Sequence, residues 1–428
     1  MIKSLIQTSF VSYISLAFTL MGSIFIARHY GPSGQGELAA LLLIPQIIIS
    51  FGDLGTAESI MYHLSKKTEW FLLSRKTIIK IVLMIVGLMS LLFSIYLTFF
   101  SYSKTFFIIL LGYLYVVLLF INQIYSFIVR GQLKIKTYNT GIIILNTTVL
   151  IAIIICVIQS LSIEYLFIGY LFSNAASILY LFFKTKLQVN TSKKKEYSIK
   201  EVLYYGIKIY SYKVLNSTES QFDKFIIASY LVSSQLGLYS VAIVMASGLY
   251  LLLVKPITSI ILPILNKIED IKEKQKLITL MNKVIFWAGI LFGILLMVFS
   301  NKLLVYVYGI DYLPALIPLW ILLVGVILKS PMSILGYYFK SIGTPEVMVR
   351  ISIVTVILNI VAGIIFIPSY GIIAAAIIST STYTIYSILL SRKYVKITKK
   401  GYLNQYLFSK VEVDLVKSHL INFINNKR

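Results

Sequence analysis

The sequence is short of charge for its length. Of its 428 residues only 13% are Asp, Glu, Lys or Arg, whereas 58% are hydrophobic, and the mean hydropathy is +0.87. An ordinary soluble domain carries about 25% charged residues, so this chain lacks the polar surface of a water-soluble globule. Its apolar runs have the length of helices rather than the alternating pattern of a barrel. Because a spanning segment must satisfy its own backbone hydrogen bonds, the sequence predicts an all-α integral membrane protein.

Residues that build disulfides, metal centres and hydrolytic sites are also scarce. A single cysteine, Cys156, excludes a disulfide framework and a cysteine metal cluster. The three histidines, at positions 29, 63 and 419, are not near a Ser-and-acid or metal-ligand arrangement. No G-x-x-x-x-G-K-[ST] phosphate loop is present, which argues against direct ATP hydrolysis. We therefore expect no enzyme activity, no catalytic residues, no metal and no cofactor.

Apolar segments long enough to cross a bilayer, at roughly 20 residues each, predict about twelve transmembrane helices. They lie near Phe10–Ala27, Leu38–Met61, Ile78–Phe100, Phe106–Val129, Gly141–Ile158, Ile163–Phe183, Val202–Leu231, Gly237–Leu262, Leu280–Phe299, Leu313–Phe339, Val347–Ile367 and Gly371–Leu390. The first is followed by Arg28-His29-Tyr30-Gly31-Pro32 and not by a small-residue processing site. We therefore expect it to be a span and not a cleaved signal.

The basic residues alternate between the predicted loops. Most of the 39 lysines and arginines fall in every second loop and in the two terminal segments, whereas the opposite side holds Arg28, Lys104 and Lys302. Short basic loops stay cytoplasmic, so both termini are predicted to be cytoplasmic in a multi-pass protein of the cell inner membrane. The net charge of +23 is spread over these loops. That distribution favours contact with membrane lipids over nucleic acid binding.

A hydrophilic stretch near the middle divides the predicted spans into six and six. We expect an N-terminal six-helix lobe (residues 1–186), a basic cytoplasmic linker (187–200), a C-terminal six-helix lobe (201–392) and a basic cytoplasmic tail (393–428). A faint internal repeat supports duplication, since Gly36 and Gly237 each open the second span of their half. Parallel repeats of this kind are typical of transporters that hold their substrate between the halves.

Charges at bilayer depth cost roughly 2.5–3.5 kcal/mol each on insertion scales, and they concentrate in the seventh span. The charged positions there are Lys208, Lys213, Glu219, Asp223 and Lys224. Most of them share one helix face with Tyr205 and Tyr212. Two interpretations remain open: the face lines a hydrated lumen, or it forms salt bridges between helices. We favour the lumen.

Other charges lie singly in the apolar segments. Asp53 and Glu58 fall in the second span, Lys255 in the eighth and Lys329 in the tenth. Each of these lysines is followed within two residues by a proline, which removes a backbone hydrogen bond. The two lysines could line the same lumen or extend to the cytoplasmic headgroups.

Several ordered motifs resemble one family. The run Ala27-Arg28-His29-Tyr30-Gly31-Pro32-Ser33-Gly34-Gln35-Gly36, followed by Phe51-Gly52-Asp53-Leu54-Gly55, resembles the opening of the polysaccharide-unit flippases. These are the Wzx-type exporters of the multidrug/oligosaccharidyl-lipid/polysaccharide (MOP) superfamily. Further similar runs are Gly237-Leu238-Tyr239-Ser240-Val241-Ala242, Tyr308-Gly309-Ile310-Asp311-Tyr312-Leu313-Pro314-Ala315 and Ile367-Pro368-Ser369-Tyr370-Gly371.

The resemblance implies two six-helix lobes around a central, often cationic cavity, lined by the first, second, seventh and eighth helices. It implies a flippase that moves an undecaprenyl-pyrophosphate-linked oligosaccharide, the repeat unit of O-antigen, capsule or another surface polysaccharide, from the cytoplasmic to the outer leaflet. A polysaccharide polymerase and a chain-length regulator are the partners to be expected beside it.

These observations combine into a hypothesis for the site. Lysines supply charge and donors for a pyrophosphate, and tyrosines supply ring faces and hydroxyls for sugars. We expect headgroup and sugar binding by Lys208, Lys255, Lys329, Lys213, Tyr205 and Tyr212. The candidates for sodium or proton coupling, or alternatively for salt bridges, are Asp53, Glu58, Glu219 and Asp223. The membrane potential alone could also drive an anionic lipid outward.

Two other functions compete with this hypothesis. A multidrug exporter of the same superfamily would need an acidic site, and residues 8–27 contain no Asp or Glu. A membrane enzyme such as a glycan polymerase or an acyltransferase is disfavoured because the predicted outer loops are short.

Overall fold

The computed structural model describes residues 2–65, 71–72, 75–100, 106–185, 195–196, 198–258, 261–399 and 401–408. Helices dominate these ranges, together with two two-residue strands that pair in parallel. The elements are α1 (Ile2–Gly52), α2 (Thr56–Ser65), β1 (Phe71–Leu72), α3 (Arg75–Phe100), α4 (Phe106–Gly131), α5 (Ile135–Ile158), α6 (Ile163–Lys184), β2 (Lys195–Glu196), α7 (Ile199–Tyr230), α8 (Ser233–Leu253), α9 (Lys255–Thr258), α10 (Ile261–Lys267), α11 (Ile271–Leu303), a π-helix (Leu304–Tyr308), a 3-10 helix (Ile310–Ala315), α12 (Leu316–Ser341), α13 (Glu346–Thr398) and a 3-10 turn (Tyr402–Gln405).

The predicted all-α membrane class is confirmed. Within the described ranges, nine helices are long and apolar enough to cross a membrane. Two of them, α1 and α13, are each divided into two arms where Gly31 (φ 66°) and Gly371 (φ 65°) adopt the left-handed backbone that glycine tolerates. α7 has 32 residues but carries too many charges to count among the nine. Counting both arms of the two broken helices and adding α7 gives the twelve spans that the sequence predicts.

The second span is interrupted near its end. It consists of the second arm of α1 (residues 32–52) and of α2, joined by a break at residues 53–55 where Leu54 (φ 48°) and Gly55 (φ 67°) are left-handed. The predicted eighth span is interrupted at the matching place, because α8 ends at Leu253 and α9 begins at Lys255, next to Pro256. Breaks at equivalent positions of the second and eighth spans support the internal repeat.

One compact unit contains Met1–Val241 with the short segments Val305–Leu313 and Ile367–Ile372. Much of its core is formed where buried side chains of α2, α3 and α4 meet, such as Ile60, Ile85 and Phe120. Arg28 explains why the π-helix region belongs to this unit, since its guanidinium donates hydrogen bonds to the carbonyl oxygens of residues 306 and 307. A π-helix leaves carbonyls that need such donors.

The second compact unit contains Ala242–Leu304, Pro314–Phe366 and Ile373–Arg428. Its buried polar contacts join α11, α12 and α13: the Tyr338 and Tyr394 rings meet edge to face at 5.1 Å, and Gln275 donates to the Tyr338 hydroxyl. The predicted domain limits stay a prediction, and residues 409–428 of the predicted tail lie outside the described residues.

The segment after α13 folds back onto α11. The indole N–H of Trp287 donates to the Tyr406 carbonyl at 2.8 Å, and the Tyr406 ring packs against Phe286 at 4.8 Å. We expect Tyr406→Ala to lower the free energy of unfolding by about 1–2 kcal/mol through lost aromatic packing. The melting temperature of the purified protein in detergent measures this. Tyr402→Ala is the matched control, because Tyr402 is half exposed; an equal loss in both variants would contradict the packing role.

Candidate functional site

Asp53 holds the break in the second span. Its side chain is fully buried, Oδ1 accepts a hydrogen bond from the Gly55 N–H at 3.0 Å, and Oδ2 accepts one from Gln123 Nε2 at 2.8 Å. Its carbonyl oxygen accepts from the backbone N–H and the hydroxyl of Thr56, the first residue of α2. The carboxylate therefore fixes the left-handed turn and ties it to α4. Sequence reasoning missed Gln123 because a neutral side chain in an apolar helix carries no signal of its partner.

Aromatic rings join α2 to the first turns of α7. Tyr205 and Tyr62 stack with their centroids 4.0 Å apart, and His63 meets Tyr205 edge-on at 5.6 Å. Close by, Ser59 Oγ donates to the Val202 carbonyl oxygen at 2.6 Å. One ring face of Tyr205 is thus taken up by packing between helices. Tyr62 and His63 were not among the predicted site residues.

Two acidic side chains of α7 are buried one helical turn apart. Glu219 and Asp223 are each 5% exposed. The hydroxyl of Tyr239, on α8, donates to Asp223 Oδ2 at 2.5 Å and is itself fully buried. Burying two carboxylates so close together is costly unless a proton, a cation or hydrogen-bond donors compensate. Asp223 has two such donors, the Tyr239 hydroxyl and the backbone N–H of Lys224.

A groove lies between the second arm of α1 and α7. The groove is open on one side, and its empty volume, including open solvent, is about 490 Å³. It is lined by Ile47, Ser50, Phe51, Ser217, Thr218, Gln221, Phe222 and Phe225. At its side, Gln221 Nε2 donates to Gln46 Oε1 at 3.2 Å and so links the two helices at mid-span. Its exposed lining is apolar, because the Ser50 and Thr218 hydroxyls donate to carbonyl oxygens of their own helices, so the groove suits an apolar segment of a ligand.

The predicted cationic residues fall in both units. Lys255 is exposed at the start of α9, and Lys329 of α12 has its ammonium 3.9 Å from the centre of the Tyr383 ring. Glu58 is half-buried in α2. The backbone of α7 includes Lys208, Tyr212 and Lys213, but their side chains lie outside the described residues. The assignment of these residues to a binding site stays a prediction.

The sequence model of a family described as polysaccharide biosynthesis protein matches residues 25–317. A curated relative, the probable low-salt glycan biosynthesis flippase Agl15 of Haloferax volcanii, is 27% identical over 187 residues. This alignment covers 42% of the chain and 39% of that relative, so less than half of the relative's length is spanned.

Solved structures share the fold. The lipid II flippase MurJ in an inward closed conformation superposes with a TM-score of 0.70 at 17% identity, covering 94% of this chain and 89% of that one. A multidrug resistance MATE family transporter of the MOP superfamily, in an inward-facing conformation, gives a TM-score of 0.67 at 12% identity, covering 92% and 99%. At such identities the likeness establishes the fold and not the substrate.

Proposed function

The chain belongs to the polysaccharide biosynthesis protein family, and we propose that it is a flippase that moves an undecaprenyl-pyrophosphate-linked oligosaccharide across the inner membrane. The family membership agrees with the resemblance of its motifs to polysaccharide-unit flippases. In the proposed orientation both termini are cytoplasmic, and the lipid-linked unit is released to the outer leaflet. A polymerase with a chain-length regulator would then use it there.

The observation that carries the proposal is the cationic side chain of Lys329 within an apolar helix. An ammonium at this depth is costly, and the Tyr383 ring beneath it contributes about 0.5–2 kcal/mol of cation–π stabilisation. A pyrophosphate that passes this position would accept charge-assisted hydrogen bonds from the ammonium. We propose that Lys329 and Lys255 bind the phosphates, assisted by Lys208 and Lys213.

The sugars and the lipid need different surroundings. In our proposal the tyrosines of α7, Tyr205 and Tyr212, contact the oligosaccharide through hydroxyls and ring faces. The lipid tail stays in the bilayer, because exposing its hydrocarbon to water would cost about 0.8 kcal/mol per CH₂. Only the polar head then requires a protein path.

Coupling to an ion is proposed at α7. Glu219 and Asp223 are buried carboxylates whose charge could be balanced by a proton or by sodium. We assign Asp53 a structural role in the break instead, because backbone and amide donors satisfy both of its oxygens. An inside-negative potential would add about 2.3 kcal/mol per charge per 100 mV to outward movement of the diphosphate.

The proposal is tested in liposomes that contain the purified protein and a fluorescent undecaprenyl-pyrophosphate-linked disaccharide. Membrane-impermeant dithionite quenches the probe in the outer leaflet, so protein-dependent movement appears as loss of the protected half of the fluorescence. Fluorescent phosphatidylcholine is the control lipid. Movement of both lipids, or of neither, would contradict the proposed substrate class.

A multidrug exporter is the second candidate, favoured by the shared fold with a MATE family transporter. It would be expected to move a cationic dye such as ethidium against a proton or sodium gradient in the same liposomes. Ethidium movement without glycolipid movement would show that multidrug export, and not glycolipid flipping, is the function.

Lys329→Ala is expected to slow glycolipid movement by about tenfold or more, since a hydrogen bond to a charged group contributes about 1.5–3 kcal/mol. Lys329→Arg, which keeps the cation, should retain much of the rate. Lys276→Ala is the matched control, because Lys276 is exposed on α11. Equal rates in Lys329→Ala and Lys276→Ala would exclude Lys329 from the path.

A further inference from the structure

Two pairs of glycines bring the second span into backbone contact with α7 and α8. The first pair is Gly36 and Gly237. A Cβ atom added at Gly36 would lie 1.7 Å from the Ser233 carbonyl oxygen, and one added at Gly237 would lie 2.0 Å from the Pro32 carbonyl oxygen. Any side chain would overlap these oxygens, so only glycine allows the two helices to approach this closely.

This first contact is reciprocal in the sequence. Gly237 follows Gly36 by 201 positions, and Ser233 follows Pro32 by the same number. Gly36 meets Ser233 of the second repeat, and Gly237 meets Pro32, which is the equivalent of Ser233 in the first repeat. Such reciprocity is the property of a two-fold contact, here made between the two repeats of a single chain.

The second pair is Gly55 and Gly206. A Cβ atom added at Gly55 would lie 2.3 Å from the Gly206 carbonyl oxygen, and one added at Gly206 would lie 2.7 Å from the Leu54 carbonyl oxygen. The stacked rings of Tyr62 and Tyr205 continue this contact along α2 and α7. At the two glycines the approach is limited by backbone atoms, as at the first pair.

The two contacts lie at opposite ends of the second span. Nineteen residues separate Gly36 from Gly55, which corresponds to about 28 Å of helix at 1.5 Å per residue. The hydrocarbon core of a bilayer is about 30 Å thick. The groove lined by Ile47, Phe51 and Ser217 lies between them.

We propose that the Gly36–Gly237 contact and the Gly55–Gly206 contact are two gates, one at each membrane face, which open in turn. The inference rests on the proposed flippase function, because a carrier must close one face before it opens the other. Both gates are closed in this structure. At the glycines themselves only backbone atoms meet, and opening the gate at Gly55 and Gly206 would in addition separate the stacked Tyr62 and Tyr205 rings.

The test places a leucine side chain, here called a wedge, in one gate at a time to hold that gate open. It then measures from which membrane face the groove becomes accessible. Cys156 is replaced by serine, and Ser217→Cys in the groove serves as the reporter for a membrane-impermeant maleimide. Gly237→Leu wedges one gate and Gly206→Leu the other; Gly55 is left unchanged because its left-handed backbone strains any replacement. Gly87→Leu is the matched control, as no atom lies within 4 Å of its added Cβ.

Labelling is measured on right-side-out and on inside-out vesicles. We expect Gly237→Leu to speed labelling about tenfold from the outer face, as a minor open state becomes dominant, and Gly206→Leu to do so from the cytoplasmic face. Gly87→Leu should change neither. Acceleration from the same face in both wedge variants, or no change in either, would overturn the proposal. Gly237→Ala and Gly206→Ala repeat the test if a leucine variant does not fold.

The labelling assay needs no substrate, so opposite labelling with failed glycolipid movement would retain the gates and reject the proposed substrate.

Discussion

Replacing Asp53 by alanine is expected to lower the free energy of unfolding by about 3 kcal/mol or more, one of the two largest effects that we predict. The carboxylate is fully buried and accepts hydrogen bonds from the Gly55 N–H and from Gln123. Without it, the buried Gly55 N–H and the half-buried Gln123 amide lose their acceptor, at a cost of about 1–3 kcal/mol for a buried donor. Thermal melting in detergent and the yield of folded protein measure the effect.

The Asp53→Asn variant distinguishes a structural role of this side chain from a role in ion coupling. Asp53→Asn keeps an oxygen for the Gly55 N–H, and Gln123 can turn its own oxygen toward the new amide. We expect it to fold and to move glycolipid at a rate near that of the native protein. Asp311→Ala is the matched control for loss of an acid, since Asp311 is exposed. A folded Asp53→Asn protein that fails to transport would instead assign the carboxylate to ion coupling.

The second large effect is expected at Asp223. Asp223→Asn should slow glycolipid movement by about 10- to 100-fold, because a lost charge-assisted hydrogen bond of about 1.5–3 kcal/mol corresponds to that range. It should also remove the dependence of the rate on a sodium or proton gradient. Liposomes prepared with and without each gradient provide the measurement.

Tyr239→Phe is the companion variant for Asp223. It removes the hydroxyl that donates to Asp223 and leaves the carboxylate in place. We expect slower movement that still responds to the gradient. If Asp223→Asn keeps its gradient response, the coupling role of α7 is wrong and the buried acid is structural.

Much of the fold could be predicted because it depends on local properties of the chain. A run of about 20 apolar residues partitions into a bilayer whatever its neighbours are. For that reason the apolar spans were found, whereas α7 was predicted from its length and position although its charges exclude it from a purely apolar count. The breaks at Gly31 and Gly371 also follow from local backbone freedom.

The contacts of the site could not be predicted in the same way. Asp53 and Asp223 were recognised as costly, but their partners Gln123 and Tyr239 are neutral residues on other helices. The role of Tyr205 in sugar binding stays a prediction, and the sequence did not indicate that one of its ring faces stacks on Tyr62. Which side chains meet depends on how helices cross, and the pattern along one helix does not contain that information.

Gly36 and Gly237 show which features of the protein follow from its sequence and which depend on its tertiary structure. Sequence alone determined the membrane class, the number of spans and the equivalence of these two glycines in a repeat, since each follows from hydropathy or residue identity along the chain. Only the tertiary structure decided that the two positions touch, that Gly55 meets Gly206, and that a groove lies between these contacts. The physical reason is that glycine permits close approach of two backbones without specifying the partner, so the partner is selected by the packing of entire helices.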